Sequence, residues 1–92
     1  MRESEIEDHL VACLKEIGGE IRKVKWIGRR GAPDRFIALE GFYAFIELKA
    51  PGKKPEPHQE REHQRLRKAG LRVLVIDSFE GVDNLVREAS HV

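Results

Sequence analysis

The stretch Arg35–Lys49, RFIALEGFYAFIELK, decides the fold. Two strand-like runs, Arg35–Leu39 and Tyr43–Lys49, lie on either side of Glu40-Gly41 and so read as a hairpin. Period-two alternation puts Ala44, Ile46 and Leu48 on one face of the second strand. Phe45, Glu47 and Lys49 fall on the other. If Leu39 pairs with Phe42 across the turn, Asp34 falls opposite Glu47, with Cβ atoms roughly 4.5–5.5 Å apart. Two carboxylates held that close repel one another unless a cation sits between them. Their oxygens suit a hard ion such as Mg2+ or Mn2+. Lys49, beside them, could orient or deprotonate a water, or steady charge building on a phosphate. An acid pair and a lysine across a hairpin can equally be a surface salt bridge, and a one-residue slip in register would turn Asp34 to the opposite face.

Upstream, Ser4 and Glu7 form a capping-box pattern. Ile6, Leu10, Leu14 and Ile17 then recur at helical spacing until Gly18-Gly19 ends the helix. Glu7 borders the apolar face and could reach the sheet, or simply serve the cap. Glu20–Ile27 alternates as a strand, and Gly28–Pro33 is a basic, glycine-containing loop.

Downstream, Pro51–Pro57 is a loop, and Pro57 suits the first turn of a helix that runs to Ala69 and closes at Gly70. Gln59, Leu66 and Ala69 lie near one face of that helix. Gln59 there could hold a water or Lys49, or mark a frayed, solvated start. Leu71–Asp77 reads as a strand covered on both faces, and Ser78 caps a helix bearing Val82, Leu85, Val86 and Ala89. A strand, crossover helix and strand make Tyr43–Lys49 parallel to Leu71–Asp77 by a right-handed connection. The expected fold is α/β, a mixed sheet flanked by helices in the order αβββαβ plus a C-terminal helix.

Ninety-two residues, 40% hydrophobic and 36% charged, imply one globular domain, 1–92, with a thin stability margin that pairing with a second copy would relieve. Net charge is +1, yet Arg22–Arg35 holds six basic residues and a single acid, Asp34. That distribution suits phosphate contacts, though a solvated basic loop looks the same. Cys13 alone excludes an internal disulfide, and its apolar surroundings suit an inert thiol. No apolar run approaches a membrane span and the N-terminus is unlike a signal peptide, so a cytoplasmic protein without membrane attachment is expected. His9, His58, His63 and His91 offer no pair at zinc-ligand spacing, and no serine stands in a nucleophile motif.

Gly31-Ala32-Pro33-Asp34, followed by Phe45-Ile46-Glu47-Leu48-Lys49, resembles the Pro-Asp…Asp/Glu-x-Lys signature of restriction-endonuclease-like nucleases. Gly18-Gly19 with Lys23 beyond, Glu47-Leu48-Lys49-Ala50-Pro51-Gly52-Lys53, and Gln59 ahead of Gly70 narrow the likeness to the virus-type replication-repair nuclease (VRR-NUC) domain. It covers nearly the whole chain, as in a stand-alone member. The resemblance implies Asp34 and Glu47 as ligands of Mg2+ or Mn2+, with the Leu48 backbone carbonyl a further ligand. It implies that Lys49 positions the attacking water and that Gln59 supports the site. Glu7 matches the acid of the family's first helix, although Glu3 or Glu5 could be meant. Lys23, Lys25, Arg29, Arg30, Lys53 and Lys54 are candidates for DNA-backbone contacts. The resemblance further implies cleavage of DNA phosphodiester bonds by a homodimer, on branched DNA such as a Holliday junction, in a bacterium or phage-infected host. A non-catalytic DNA-binding module of a replication or repair complex, or a pure dimerisation scaffold, are the rival readings.

Overall fold

The computed structural model describes residues 1–90; His91 and Val92 lie outside the described residues. The order is α1 (Glu3–Glu16), β1 (Glu20–Lys23), β2 (Arg35–Leu39), β3 (Phe42–Leu48), α2 (Pro57–Lys68), β4 (Val73–Ile76) and α3 (Phe79–Ala89). One sheet is formed in the order β1-β2-β3-β4, antiparallel except for the parallel pair β3/β4. This is the expected αβββαβ core with its terminal helix. Among the described residues no helix is long and apolar enough to cross a membrane.

The hairpin sets the register. Leu39 pairs with Phe42 and Arg35 with Ile46, so the same ladder carried one step further sets Asp34 against Glu47. Gly41, at φ +82°, supplies the left-handed residue that the second turn position requires. Phe42, Ala44, Ile46 and Leu48 then face a core completed by Ile37, Ile76, Ile6, Leu10 and Leu14 of α1, and Val82, Leu85 and Ala89 of α3. Phe45 and Glu47 leave the other face, towards α2.

Four local expectations shift. Ser4 is inside α1 rather than capping it, because the helix starts two residues earlier and the Arg2 amide donates to Glu5 Oε1 at 3.2 Å. β1 stops at Lys23, not Ile27. The Val24 amide still reaches Asp34 O at 3.0 Å, but the chain is then drawn off by the Trp26 indole, which donates to Glu62 of α2 at 2.7 Å. β4 is shorter than Leu71–Asp77, since the Leu71 amide is taken by Leu66 O in the closing turn of α2. The inward face of α2 is also more polar than expected: its buried residues are Glu62 and His63, while Ala69 is exposed. Ser78 caps α3 through its Oγ, which accepts from the Gly81 amide at 2.9 Å.

Candidate active site

Asp34 precedes β2, Glu47 is the penultimate residue of β3, and Lys49 follows the strand directly. The Leu48 amide donates to Asp34 Oδ2 at 2.8 Å, which fixes that carboxylate against the neighbouring strand. Gln59 stands in the first turn of α2, where Pro57 and the Glu56 cap start the helix. Its Oε1 accepts from the Glu56 amide at 2.7 Å and from Lys49 Nζ at 3.0 Å, and its Nε2 donates to Glu47 Oε2 at 3.3 Å. Lys49 Nζ lies 3.7 Å from the same Glu47 oxygen. One amide therefore holds both the acid and the base. The structure brings Asp34, Glu47, Lys49 and Gln59 together.

Glu47 is only 2% exposed, and its Oε1 is buried without a hydrogen-bond partner. Burial, then the charge of Asp34 and a hydrogen bond shared with it, push its carboxyl up to about 8; Lys49 opposes this only in part. A buried acceptor left unpaired beside a second carboxylate is what a cation would satisfy. The donor set, oxygens of Asp34 and Glu47, fits a hard divalent ion.

His63, fully buried on α2, puts its Nε2 3.5 Å from that Oε1. Burial and then the nearby Arg67 hold the imidazole below the usual histidine range, hence neutral at pH 7. Sequence reasoning passed over it by seeking histidine pairs. The signal was its position, one turn after Gln59 on the same helix face.

Glu7 is not part of this group. It pairs with Arg35, whose side chain leaves the opposite face of the sheet from Asp34, and Arg35 also donates to the Asp34 carbonyl at 2.9 Å. Of the three acids at the start of α1, Glu3 is the one whose charge bears on Glu47. Lys23, Lys25, Arg29, Arg30, Lys53 and Lys54 are exposed, as phosphate contacts require, although Arg29 Nη2 also sits 3.0 Å from Glu62 Oε1.

Glu62 is a second buried acid, 3% exposed, that sequence reasoning missed. Besides Trp26 and Arg29 it receives Arg65 Nε at 3.0 Å. Burial pushes its carboxyl up, but the bonds from Arg65 and Trp26 and the charges of Arg29 and Arg65 outweigh this and hold it below the ordinary range. Trp26 and Arg29 thereby tie the β1–β2 loop to α2. Gly31 makes the same contact sterically, since a Cβ there would stand 2.9 Å from both Glu62 Cβ and His58 O, with φ at +91°. Gly31→Ala is expected to cost about 1–3 kcal/mol from the left-handed backbone alone. It should also lift the loop from the helix beside Gln59. A thermal midpoint equal to wild type would contradict this.

His9, Cys13 and Asp83 also bring metal-type donors within 4.8 Å of one another. There His9 Nε2 bonds Asp83 Oδ1 directly at 2.8 Å. Two ligands of one tetrahedral zinc, each about 2.0–2.2 Å from the ion, would stand farther apart. The trio is a link between α1 and α3. Burial, then the charges of Asp83 and Glu16, push the Cys13 thiol up, which disfavours its thiolate.

A mixed sheet whose hairpin ends in Asp34, Glu47 and Lys49, with helices on both faces, defines the restriction-endonuclease-like class. Over 92% of the chain and 94% of its counterpart it superposes on a solved VRR-NUC domain, with a TM-score of 0.84 and 40% identity. It is 52% identical over 79 residues, 85% of each chain, to a protein of Acyrthosiphon pisum secondary endosymbiont phage 1 named "Putative nuclease p44". No protein-family model matches the chain. The chain belongs to the VRR-NUC nuclease family.

Proposed function

We propose that this protein is a DNA endonuclease dependent on Mg2+ or Mn2+, that it cuts branched DNA of the Holliday-junction kind, and that it acts as a homodimer. The convergence of Asp34, Glu47, Lys49 and Gln59 around a buried, unpartnered carboxylate oxygen supports this reading. Asp34 and Glu47 would hold the divalent ion, with the Leu48 carbonyl as a further ligand. When bound, the ion supplies Lewis-acid polarisation of the scissile phosphate and a lower pKa for the attacking water.

The side chains do the rest. Lys49, held by Gln59, positions the water for in-line attack and stabilises negative charge on the phosphate. Gln59 acts through Glu47 and Lys49 by fixing their spacing. Glu7 acts through Arg35, which steadies the backbone of Asp34. Lys23, Lys25, Arg30, Lys53 and Lys54, with Arg29 as far as Glu62 leaves it free, contact the DNA backbone. Such contacts position the substrate without choosing a sequence.

The homodimer rests on size. A chain this short has a limited core, and a two-fold pair would set two active sites for the symmetric nicks that resolve a four-way junction. Cleavage should be assayed on duplex, flap, splayed and four-way DNA, with and without Mn2+, beside sedimentation at micromolar protein. The expected result is ion-dependent cutting concentrated on branched substrates by a dimer. Salt-sensitive binding without cleavage under any ion would leave a DNA-binding module instead. Symmetric resolution by a clean monomer would remove the dimer.

A further inference from the structure

The segment between β1 and β2 leaves the sheet, yet it is pinned along its length. The Trp26 ring packs edge-on against Phe45 of β3, with centroids 5.8 Å apart, while its indole nitrogen bonds the buried Glu62. Arg29 closes on the same carboxylate, and Gly31 abuts the first turns of α2. Between these anchors Ile27 is 97% exposed, the most exposed large apolar side chain among the described residues. An isolated exposed isoleucine usually means little. Here it projects from a braced loop that also carries exposed Lys25 and Arg30, and that loop runs on into Asp34.

We propose that this loop is a rigid prong whose tip, Ile27, wedges into an unstacked base step at the branch point of DNA, while Lys25 and Arg30 engage the adjoining phosphates. This rests on the nuclease reading above and specifies how a branch is told from plain duplex. The occupant follows from charge and shape together. A basic collar around one apolar tip matches a polyanion with exposed base faces, and apolar wedges of this kind part a base step that is already weakly stacked. The anchors matter because a floppy loop would lose in ordering what the tip gains on insertion. Contact of Gly31 with α2 beside Gln59 sets the prong next to the carboxylates, so the parted step and the scissile phosphate are neighbours.

The test uses full-length protein carrying Asp34→Asn, so that DNA is not consumed, and a four-way junction with 2-aminopurine at the branch. Anisotropy reports binding; 2-aminopurine fluorescence reports unstacking. At saturating protein the fluorescence should rise, and it should keep that rise with Ile27→Leu. Ile27→Asn should lose it while anisotropy still shows the DNA bound at higher protein concentration. Glu62→Gln, which leaves the tip intact, should reduce the rise and speed proteolysis within residues 24–33. An equal fluorescence rise with Ile27→Asn overturns the wedge and leaves the nuclease reading standing. Loss of dimer on sedimentation of Ile27→Asn would assign the tip to a second copy of this chain and also overturn it. Failure of the Asp34→Asn protein to bind any DNA overturns both.

Discussion

Asp34→Asn or Glu47→Gln should lower single-turnover cleavage by at least about a thousandfold. A divalent ion held by these carboxylates, with its bound water, would account for several kcal/mol of transition-state stabilisation, at tenfold per roughly 1.4 kcal/mol. The two substitutions should part company in stability. Glu47 is buried against Asp34 with an unpartnered oxygen, so without a divalent ion its ionised form strains the fold. Glu47→Gln removes that charge in nearly the same volume and should raise the thermal midpoint of the ion-free protein above pH 8. Asp34→Asn also relieves the repulsion, but it weakens the bond that Asp34 Oδ2 accepts from the Leu48 amide. Differential scanning of both variants in chelator, beside single-turnover rates with Mn2+, would decide the matter. Wild-type turnover by either variant would remove the assignment of the carboxylates.

The second large effect is a pH dependence of stability that a bound ion should cancel. In the folded chain the Glu47 carboxyl is pushed up to about 8, from an unfolded value near 4.5. Between those values the folded state binds the extra proton, so stability from this group is full below the lower value. It is lost as pH rises through the higher one. The loss for the ion-free protein should be on the order of a few kcal/mol across that window. For a domain of this size each kcal/mol moves the midpoint by about 4–8 °C. A divalent ion needs the ionised carboxylate and displaces the proton, so its affinity should climb with pH and level off above about 8. The thermal gap between Mn2+ and chelator should therefore widen from pH 5 to pH 8.5. Glu47→Gln should close it. A gap independent of pH in the wild type would show that Glu47 is not the group that releases the proton.

The hairpin was legible in the sequence because its information is local. A two-residue turn and alternating side chains favour one register while leaving a one-residue slip open, and the observed pairing of Leu39 with Phe42 is the one in which Asp34 meets Glu47. Gln59 was legible for a similar reason, since Pro57 starts α2 and the crossover returns that helix over the end of β3. Glu62, His63 and Trp26 were not. Hydropathy looks for an apolar stripe, whereas the inward face of α2 is Gln59, Glu62, His63 and Leu66, helical in spacing but mostly polar. The value of those residues lies in partners distant in the chain: Trp26 for Glu62, and Glu47 for His63. Ser4 was misread because one pattern fits two caps two residues apart, and the helix takes the turn that Arg2 and Glu5 close.

Asp34 and Glu47 sit thirteen positions apart and are joined by the shortest turn the sheet allows. During folding such a hairpin can close early, because little chain must be looped to form it. At that moment the two carboxylates meet in open water, where screening makes their repulsion slight. The penalty arises later, when α2 seats Gln59 and His63 over Glu47 and excludes the solvent. Docking of one helix is therefore the step that makes the Glu47 charge costly, and a proton, or the cation proposed above, would have to neutralise it there.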